Sequence, residues 1–259
     1  MSLYARETTA FMHTYKRLPL EIQRFFQIHL EAALHDPAAR QVLVWPTILG
    51  AAGLRQAHPG GIPEPELLNH AARMLSALGQ HDPAAAWTAH LTQWSDTAIG
   101  GPEGWLPAPA WGAWGPLVSL RCGWQLAALT PLPLGDQYPL ACAVSLFNHG
   151  LYHECHDALE PLWAAAEGGL KNQLQGLILL AGGYHHLQQH NRSGLVMLWE
   201  EALFRLNAGG GRVATPWGVV RAESALDLTA RRLDHGMRMT DDADFTPLWA
   251  LDRPTWELG

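Results

Sequence analysis

Apolar residues recur at helical spacing along most of this chain, and this periodicity constrains the fold more than any other feature. From Leu20 to Leu34 the sequence LEIQRFFQIHLEAAL places large apolar side chains three or four residues apart, as on one face of an α-helix. No segment combines alternating apolar and polar residues with β-branched enrichment, the pattern of a half-buried strand. The sequence therefore predicts an all-α fold with no sheet, an antiparallel helical bundle in the C-terminal half preceded by additional helices.

Capping residues and glycine or proline set the predicted helix boundaries. The sequence HDPAA occurs at 35–39 and again at 81–85, where the aspartate is a typical N-cap and the proline suits the first helical position. The triple glycine at 209–211 ends another helix and predicts an irregular crossing over 207–218. Besides 20–34, helices are predicted at 65–78, 84–98, 117–129, 139–147, 151–166, 170–190, 194–207 and 222–233.

Composition divides the chain into four regions. Residues 1–100 are predicted to form an N-terminal helical region, and residues 117–240 a helical bundle. Between them, residues 101–116 are rich in Gly, Pro and Trp, which favours a connection without helix whose rings lie against the core. Residues 241–259 are left as a C-terminal tail.

The charge balance argues against nucleic acid as a partner. The 259 residues include 17 Lys and Arg against 24 Asp and Glu, a net charge of −7, so no basic stripe can neutralise a run of phosphates. No apolar run reaches the roughly 18 residues that span a bilayer, and Arg6 and Glu7 interrupt any signal-peptide core. A cytoplasmic protein with no membrane partner is expected. The three cysteines are far apart, so neither a disulfide framework nor a thiolate zinc site is predicted.

The densest group of ionisable residues lies in the run FNHGLYHECHDALEPLW at 147–163. On a helical projection one arc of this run is polar and the opposite stripe is apolar. The polar arc consists of His153, His156, Asp157 and Glu160, with Trp163 at its edge and Glu154 on the other side. The apolar stripe consists of Cys155, Ala158, Leu159 and Leu162. An ordinary amphipathic helix with a solvated polar face has the same pattern.

Two features of this helix favour a site on the polar arc. His156 and Glu160 stand at i, i+4, where two side chains can hold one ion or share one proton. Pro161 cannot donate to the carbonyl of Asp157, which leaves a free acceptor beside the arc.

The following helix supplies a matching polar face. Gln175, Gly182 and His186 share one side of it, and the glycine lets another backbone come close. Because buried polar groups must be paired, these side chains are predicted to meet His156 and Glu160 in a small polar pocket between the two helices.

The order FN-x-G-x-Y-x-E-x-H-[DE]-x-LE-x-LW, followed by QGLI-x-L and a histidine before Asn-Arg, resembles a prokaryotic family called domain of unknown function 309. The resemblance covers about residues 147–206 and implies a helical bundle, with no established activity. Asp157 stands where the family more often has glutamate. His149, His153, His185 and His190 fall outside the family pattern. With the projection, the resemblance predicts a polar pocket formed by Asn148, Tyr152, Glu154, His156, Asp157, Glu160, Trp163, Gln175 and His186.

Three functional interpretations remain open from the sequence. The first is a non-catalytic binding or interaction protein whose pocket takes an unknown small molecule or protein. The second is a metal-dependent or acid/base enzyme, hydrolase-like, acting through His156, Glu160 and His186, with a divalent metal held by the same three residues. The third is a structural polar cluster without a ligand. The sequence implies no certain cofactor and does not define the oligomeric state.

Overall fold

The computed structural model describes residues 33–34, 36–58, 62–95, 108–130, 132, 138–240, 243–249 and 251–259. Within them the chain forms eleven α-helices, a short 3-10 helix and three short strands. The all-α prediction is therefore confirmed for the bulk of the described chain. None of the described helices is both long and apolar enough to cross a bilayer. The chain divides into two compact units, residues 19–131 and residues 132–259 with 1–18.

The first unit contains five described α-helices. They are α1 (Gln41–Leu49), α2 (Ala52–Ala57), α3 (Glu64–Ala77), α4 (Pro83–Ser95) and α5 (Ala108–Leu129), with the 3-10 helix at Pro37–Arg40 before α1. Asp82 caps α4 as predicted, since its carboxylate accepts a hydrogen bond from the Ala85 amide at 3.0 Å. The helix predicted at 20–34 lies outside the described residues apart from its last two positions.

Helix α5 corrects the prediction that residues 101–116 form a connection without helix. Residues 101–107 lie outside the described residues, but 108–116 form the first turns of α5. The physical reason lies in packing. Gly50, at the end of α1, meets the backbone of Gly115 so closely that a Cβ atom would overlap its carbonyl. Glycine weakens a helix in isolation, yet here it permits a close helix contact that local composition does not reveal.

The second unit carries the family-like segment. Its helices are α6 (Tyr138–Asn148), α7 (Tyr152–Ala165), α8 (Gly168–Gln188), α9 (Arg192–Asn207), α10 (Glu223–Arg238) and α11 (Thr246–Trp249). Short turns join α6 to α9, so consecutive helices run antiparallel and pack on one another. Gly150, just before α7, has a φ of 74° in the left-handed region, which favours glycine and permits the tight turn into this helix.

A small antiparallel sheet overturns the prediction that no strand would form. Strands β1 (Arg212–Thr215) and β2 (Gly218–Arg221) form a hairpin, and β3 (Glu257–Leu258) pairs with β2. Val213 and Val220 face each other across the hairpin and are buried. The predicted irregular crossing at 207–218 was therefore wrong over β1. Four-residue strands next to a glycine run are too short to give a clear alternating pattern.

The C-terminal residues are part of the core of this unit. The Trp256 ring stacks on Phe147 with centroids 3.9 Å apart and an interplanar angle of 8°. Arg232 is buried and donates to the carbonyls of Leu248, Leu251 and Asp252, at 2.9, 3.2 and 2.7 Å. These contacts hold the segment after α10 against the helices. The sequence did not predict this packing, because residues 241–259 show no helical periodicity.

Candidate functional site on the outer face of α7

Helix α7 separates a buried inner face from a polar outer face. The predicted apolar stripe is confirmed, because Cys155, Ala158, Leu159 and Leu162 are all buried. On the outer face, Glu160 is exposed, and three residues are half-buried: His153, His156 and Asp157. Burial raises the pKa of the Cys155 thiol well above its usual value, and the nearby carboxylates of Asp157 and Glu154 add to this effect. A buried, protonated thiol does not act as a nucleophile.

Asp157 lies between two histidines on the outer face. Its two carboxylate oxygens accept hydrogen bonds from His153 Nδ1 at 3.1 Å and from His156 Nδ1 at 3.2 Å. Partial burial alone would raise the pKa of Asp157, but the bonds from His153 and His156 outweigh it and hold the pKa well below its usual range. Asp157 is therefore a carboxylate at any physiological pH.

Glu160 completes a group of three possible ligands with His156 and Asp157. The imidazole Nε2 of His156 lies 3.8 Å from a Glu160 carboxylate oxygen. The three residues each offer one ligand atom within 4.8 Å of the others. The predicted i, i+4 proximity of His156 and Glu160 is thus present in the structure.

His186 does not join this group, although the sequence predicted that it would. Its Nδ1 accepts a hydrogen bond from Asn191 Nδ2 at 3.0 Å, and its ring packs against Gly194 at the start of α9. The histidine that faces the outer arc is its neighbour His185, whose ring meets His153 edge-on with centroids 4.9 Å apart. His185 and His186 are consecutive, so their side chains point about 100° apart around the axis of α8. The helix therefore presents His185 to the outer face of α7, where His186 had been predicted.

The glycines of α8 explain why this helix turns His185, and not His186, toward α7. A Cβ atom at Gly183 would overlap the Trp199 ring, and one at Gly176 would overlap Leu206. Gly182 likewise lies against Leu198. The glycine face of α8 therefore packs on α9. It does not pack on the polar arc of α7, as the sequence had suggested. His186 follows Gly183 by one turn and is directed to the same neighbour.

Three of the predicted pocket residues belong to the inner structure. Asn148 uses its whole amide on the backbone of Trp256, donating to its carbonyl and accepting from its N–H at 2.8 Å each. The Tyr152 ring lies between Phe147 and Tyr184, with centroids 5.1 Å from each. Burial raises the pKa of Tyr152, and the positive charge of Arg253 opposes this only in part. Glu154 is also buried.

Trp163 and Gln175 instead line an open cleft of about 450 Å³. The cleft is formed by the end of α7, the first half of α8 and the last turns of α9. Its other lining residues are Gly168, Lys171, Asn172, Leu179, Glu201 and Arg205. The structure thus brings two of the predicted pocket residues together at one end of α7, one turn beyond Glu160.

The charged residues of the cleft were missed by the sequence-based prediction. The Lys171 ammonium lies 4.7 Å from the centroid of the Trp163 ring. Arg205 pairs with Glu201 at 2.6 Å and also donates to the Asn172 side chain. The available signals were modest, namely the i, i+4 spacing of Glu201 and Arg205 and the rarity of lysine in this chain.

Comparison with known proteins supports the resemblance and adds no activity. Residues 140–198 match the model of a family described as Domain of unknown function (DUF309). The matched segment runs from α6 into α9 and includes every residue of the predicted pocket. Searches of curated proteins and of solved structures found no match.

Proposed function

We propose that the second unit is a binding domain for a small anionic molecule, held in the cleft between α7, α8 and α9. The observation that carries this proposal is the position of Lys171 in the cleft. Its ammonium lies over the Trp163 ring, and no described carboxylate lies within ion-pair distance of it. An ammonium group held on an aromatic face is stabilised only modestly, so it retains its capacity to attract an anion.

The charge of the cleft supports an anionic ligand. Lys171 and Arg205 bring two positive charges, and Glu201 brings one negative charge that is already paired with Arg205. The lining is therefore net positive in a chain whose formal net charge is −7. Such a local reversal of sign favours entry of a carboxylate or a phosphate over a cation.

The size and the uncharged residues of the cleft define the remainder of the ligand. A volume of about 450 Å³ is within the range of small-molecule sites and exceeds what a bare ion needs. Trp163 and Leu179 offer apolar surface, and the side-chain amides of Asn172 and Gln175 can donate or accept hydrogen bonds. We infer a ligand with one anionic group and an apolar part about the size of an aromatic ring.

The enzyme alternative has less support. It requires His156, Glu160 and His186 to converge on one reacting group, and His186 is held by Asn191 on another side of α8. The binding function requires no such convergence.

Isothermal titration calorimetry of the full chain tests the proposal with phenyl phosphate, benzoate and neutral benzyl alcohol. We expect the two anions to bind and the alcohol not to bind. Lys171→Ala should weaken anion binding about tenfold or more, as for loss of a charge-assisted contact of about 1.5–3 kcal/mol. Arg238→Ala is the matched control, because it removes a positive charge from an exposed residue outside the cleft. Equal binding of alcohol and anions, or equal weakening by both variants, would contradict the proposal.

A further inference from the structure

A second group of residues on α7 has the composition of a metal site. His153, His156, Asp157 and Glu160 follow one another at helical spacing along the outer face, and none of them lines the cleft. We propose that His156, Asp157 and Glu160 bind one divalent transition-metal ion, with His153 holding the Asp157 carboxylate. This site is separate from the anion-binding cleft, and its test does not depend on the cleft.

The distances within the group suit a single ion. Ligands about 2.0–2.2 Å from one ion lie roughly 3–4 Å apart. One ligand atom from each of His156, Asp157 and Glu160 falls within 4.8 Å of the others. The two ring nitrogens of His156 face different carboxylates, since Nδ1 lies 3.2 Å from an Asp157 oxygen and Nε2 lies 3.8 Å from a Glu160 oxygen. Glu160 is 57% exposed and can rotate toward an ion.

The chemical nature of the ligands defines the class of ion. One imidazole nitrogen with two carboxylate oxygens suits Zn²⁺, Mn²⁺ or Fe²⁺, whereas Ca²⁺ and Mg²⁺ favour oxygen ligands alone. Three protein ligands on a half-exposed surface leave at least one position open to water or to an exogenous group.

His153 provides the support that metal-binding carboxylates usually have. Its Nδ1 donates to the Asp157 oxygen that His156 does not contact, at 3.1 Å. The His153 ring in turn meets His185 of α8 edge-on. This bond orients the carboxylate before an ion arrives, which is the role of the outer hydrogen bonds around metal ligands.

The first unit offers a matched control arrangement. Glu66 lies between His58, at 2.7 Å, and His70, at 3.9 Å, again a carboxylate between two imidazoles. Among the described residues, however, it does not form a group of three ligands within 4.8 Å. A variant at His70 therefore removes a surface histidine beside a carboxylate and leaves the proposed ligands intact.

The test uses the full chain without an affinity tag, freed of metal by a chelator and titrated with Zn²⁺ by calorimetry. Co²⁺, followed by its visible absorption, gives an independent spectroscopic signature of the site. We expect one ion per chain, and an affinity about tenfold or more lower in His156→Ala, Asp157→Asn and Glu160→Gln. His70→Ala should leave the affinity and the Co²⁺ spectrum unchanged.

Two results would overturn the proposal. One is the absence of stoichiometric Zn²⁺ binding by the parent chain. The other is an equal loss of affinity in His70→Ala and His156→Ala, which would indicate scattered binding to surface histidines. Circular dichroism of each variant verifies that it is folded. We expect all three to fold, because the side chains of His156, Asp157 and Glu160 are 36%, 25% and 57% exposed.

Discussion

The two faces of α7 use residues of one sequence motif for opposite purposes. On the inner side, the Tyr152 ring packs against Phe147, and Asn148, at the end of α6, bonds to the backbone of Trp256. On the outer side, His156 and Glu160 face solvent, and Trp163 faces an open cleft. A motif residue is therefore not by itself a site residue. Whether it can meet a ligand depends on the face of the helix on which it lies.

The difference between the faces is also a difference in energy. Removing a buried aromatic ring costs several kcal/mol, because it loses transfer free energy and leaves a cavity. Removing an exposed charged or polar group costs little, because solvent screens its interactions. The inner face should therefore determine stability, and the outer face should determine binding.

Trp256→Ala should lower the free energy of unfolding by about 3–5 kcal/mol. The ring is buried and stacks on Phe147, whereas the bonds to Asn148 use the Trp256 backbone and remain in the variant. Chemical denaturation measures the loss. Phe204→Ala is the control, since that ring is 79% exposed and its removal should change stability by no more than about 0.5 kcal/mol. Similar losses in both variants would show that the buried ring contributes no more to stability than the exposed one.

Gly183→Ala should lower the free energy of unfolding by about 1–3 kcal/mol, because the added methyl group overlaps the Trp199 ring. Gly169→Ala in the same helix is the matched control. Nothing lies within 4 Å of its Cβ position, so alanine should be neutral or stabilise the helix by up to about 1 kcal/mol. Thermal unfolding of the pair measures both changes. A neutral Gly183→Ala would mean that α8 and α9 do not pack as described.

Stability should fall as the pH rises above about 10, where free tyrosine ionises. Burial raises the pKa of Tyr152 and Tyr184 in the folded chain, so the folded state keeps protons that the unfolded state releases. The stabilisation is fully present below the unfolded pKa and is lost as the pH rises toward the folded values.

Denaturation at a series of pH values measures this loss, and Tyr152→Phe should make the alkaline slope shallower. Below about pH 9 the pH dependence of the variant should match that of the parent chain. An unchanged alkaline slope would show that Tyr152 titrates normally and is not enclosed by the rings around it.

His156→Ala should change the free energy of unfolding of the metal-free chain by no more than about 1 kcal/mol. The imidazole is 36% exposed, and its contacts with Asp157 and Glu160 are partly screened by solvent. Chemical denaturation in the presence of a chelator measures the change. A loss as large as that of Trp256→Ala would show that His156 is needed for the stability of the fold.

Local sequence patterns were sufficient to predict helices α6 to α10 of the second unit, but not the short α11. The predicted span 151–166 corresponds to Tyr152–Ala165, and 170–190 corresponds to Gly168–Gln188. The apolar stripe of α7 was also predicted, because periodicity within one helix depends on neighbouring residues alone.

Contacts between distant segments could not be predicted in the same way. Asn148 and Trp256 are separated by 108 residues, and no local pattern links them. The choice of His185 over His186 depends on how α8 is rotated, which the packing of Gly176 and Gly183 on α9 decides. Projection of one helix shows which residues share a face, but not which neighbour that face meets. The positive charge of the cleft was missed for the same reason, since Lys171 and Arg205 come from different helices.

A crystal structure of the full chain with phenyl phosphate would show directly whether the cleft at the end of α7 binds an anionic small molecule. We expect the phosphate at hydrogen-bond distance, about 2.7–2.9 Å, from the Lys171 ammonium, with the phenyl ring against Trp163 or Leu179. Phosphate bound elsewhere on the chain, with the cleft at Lys171 empty, would contradict it.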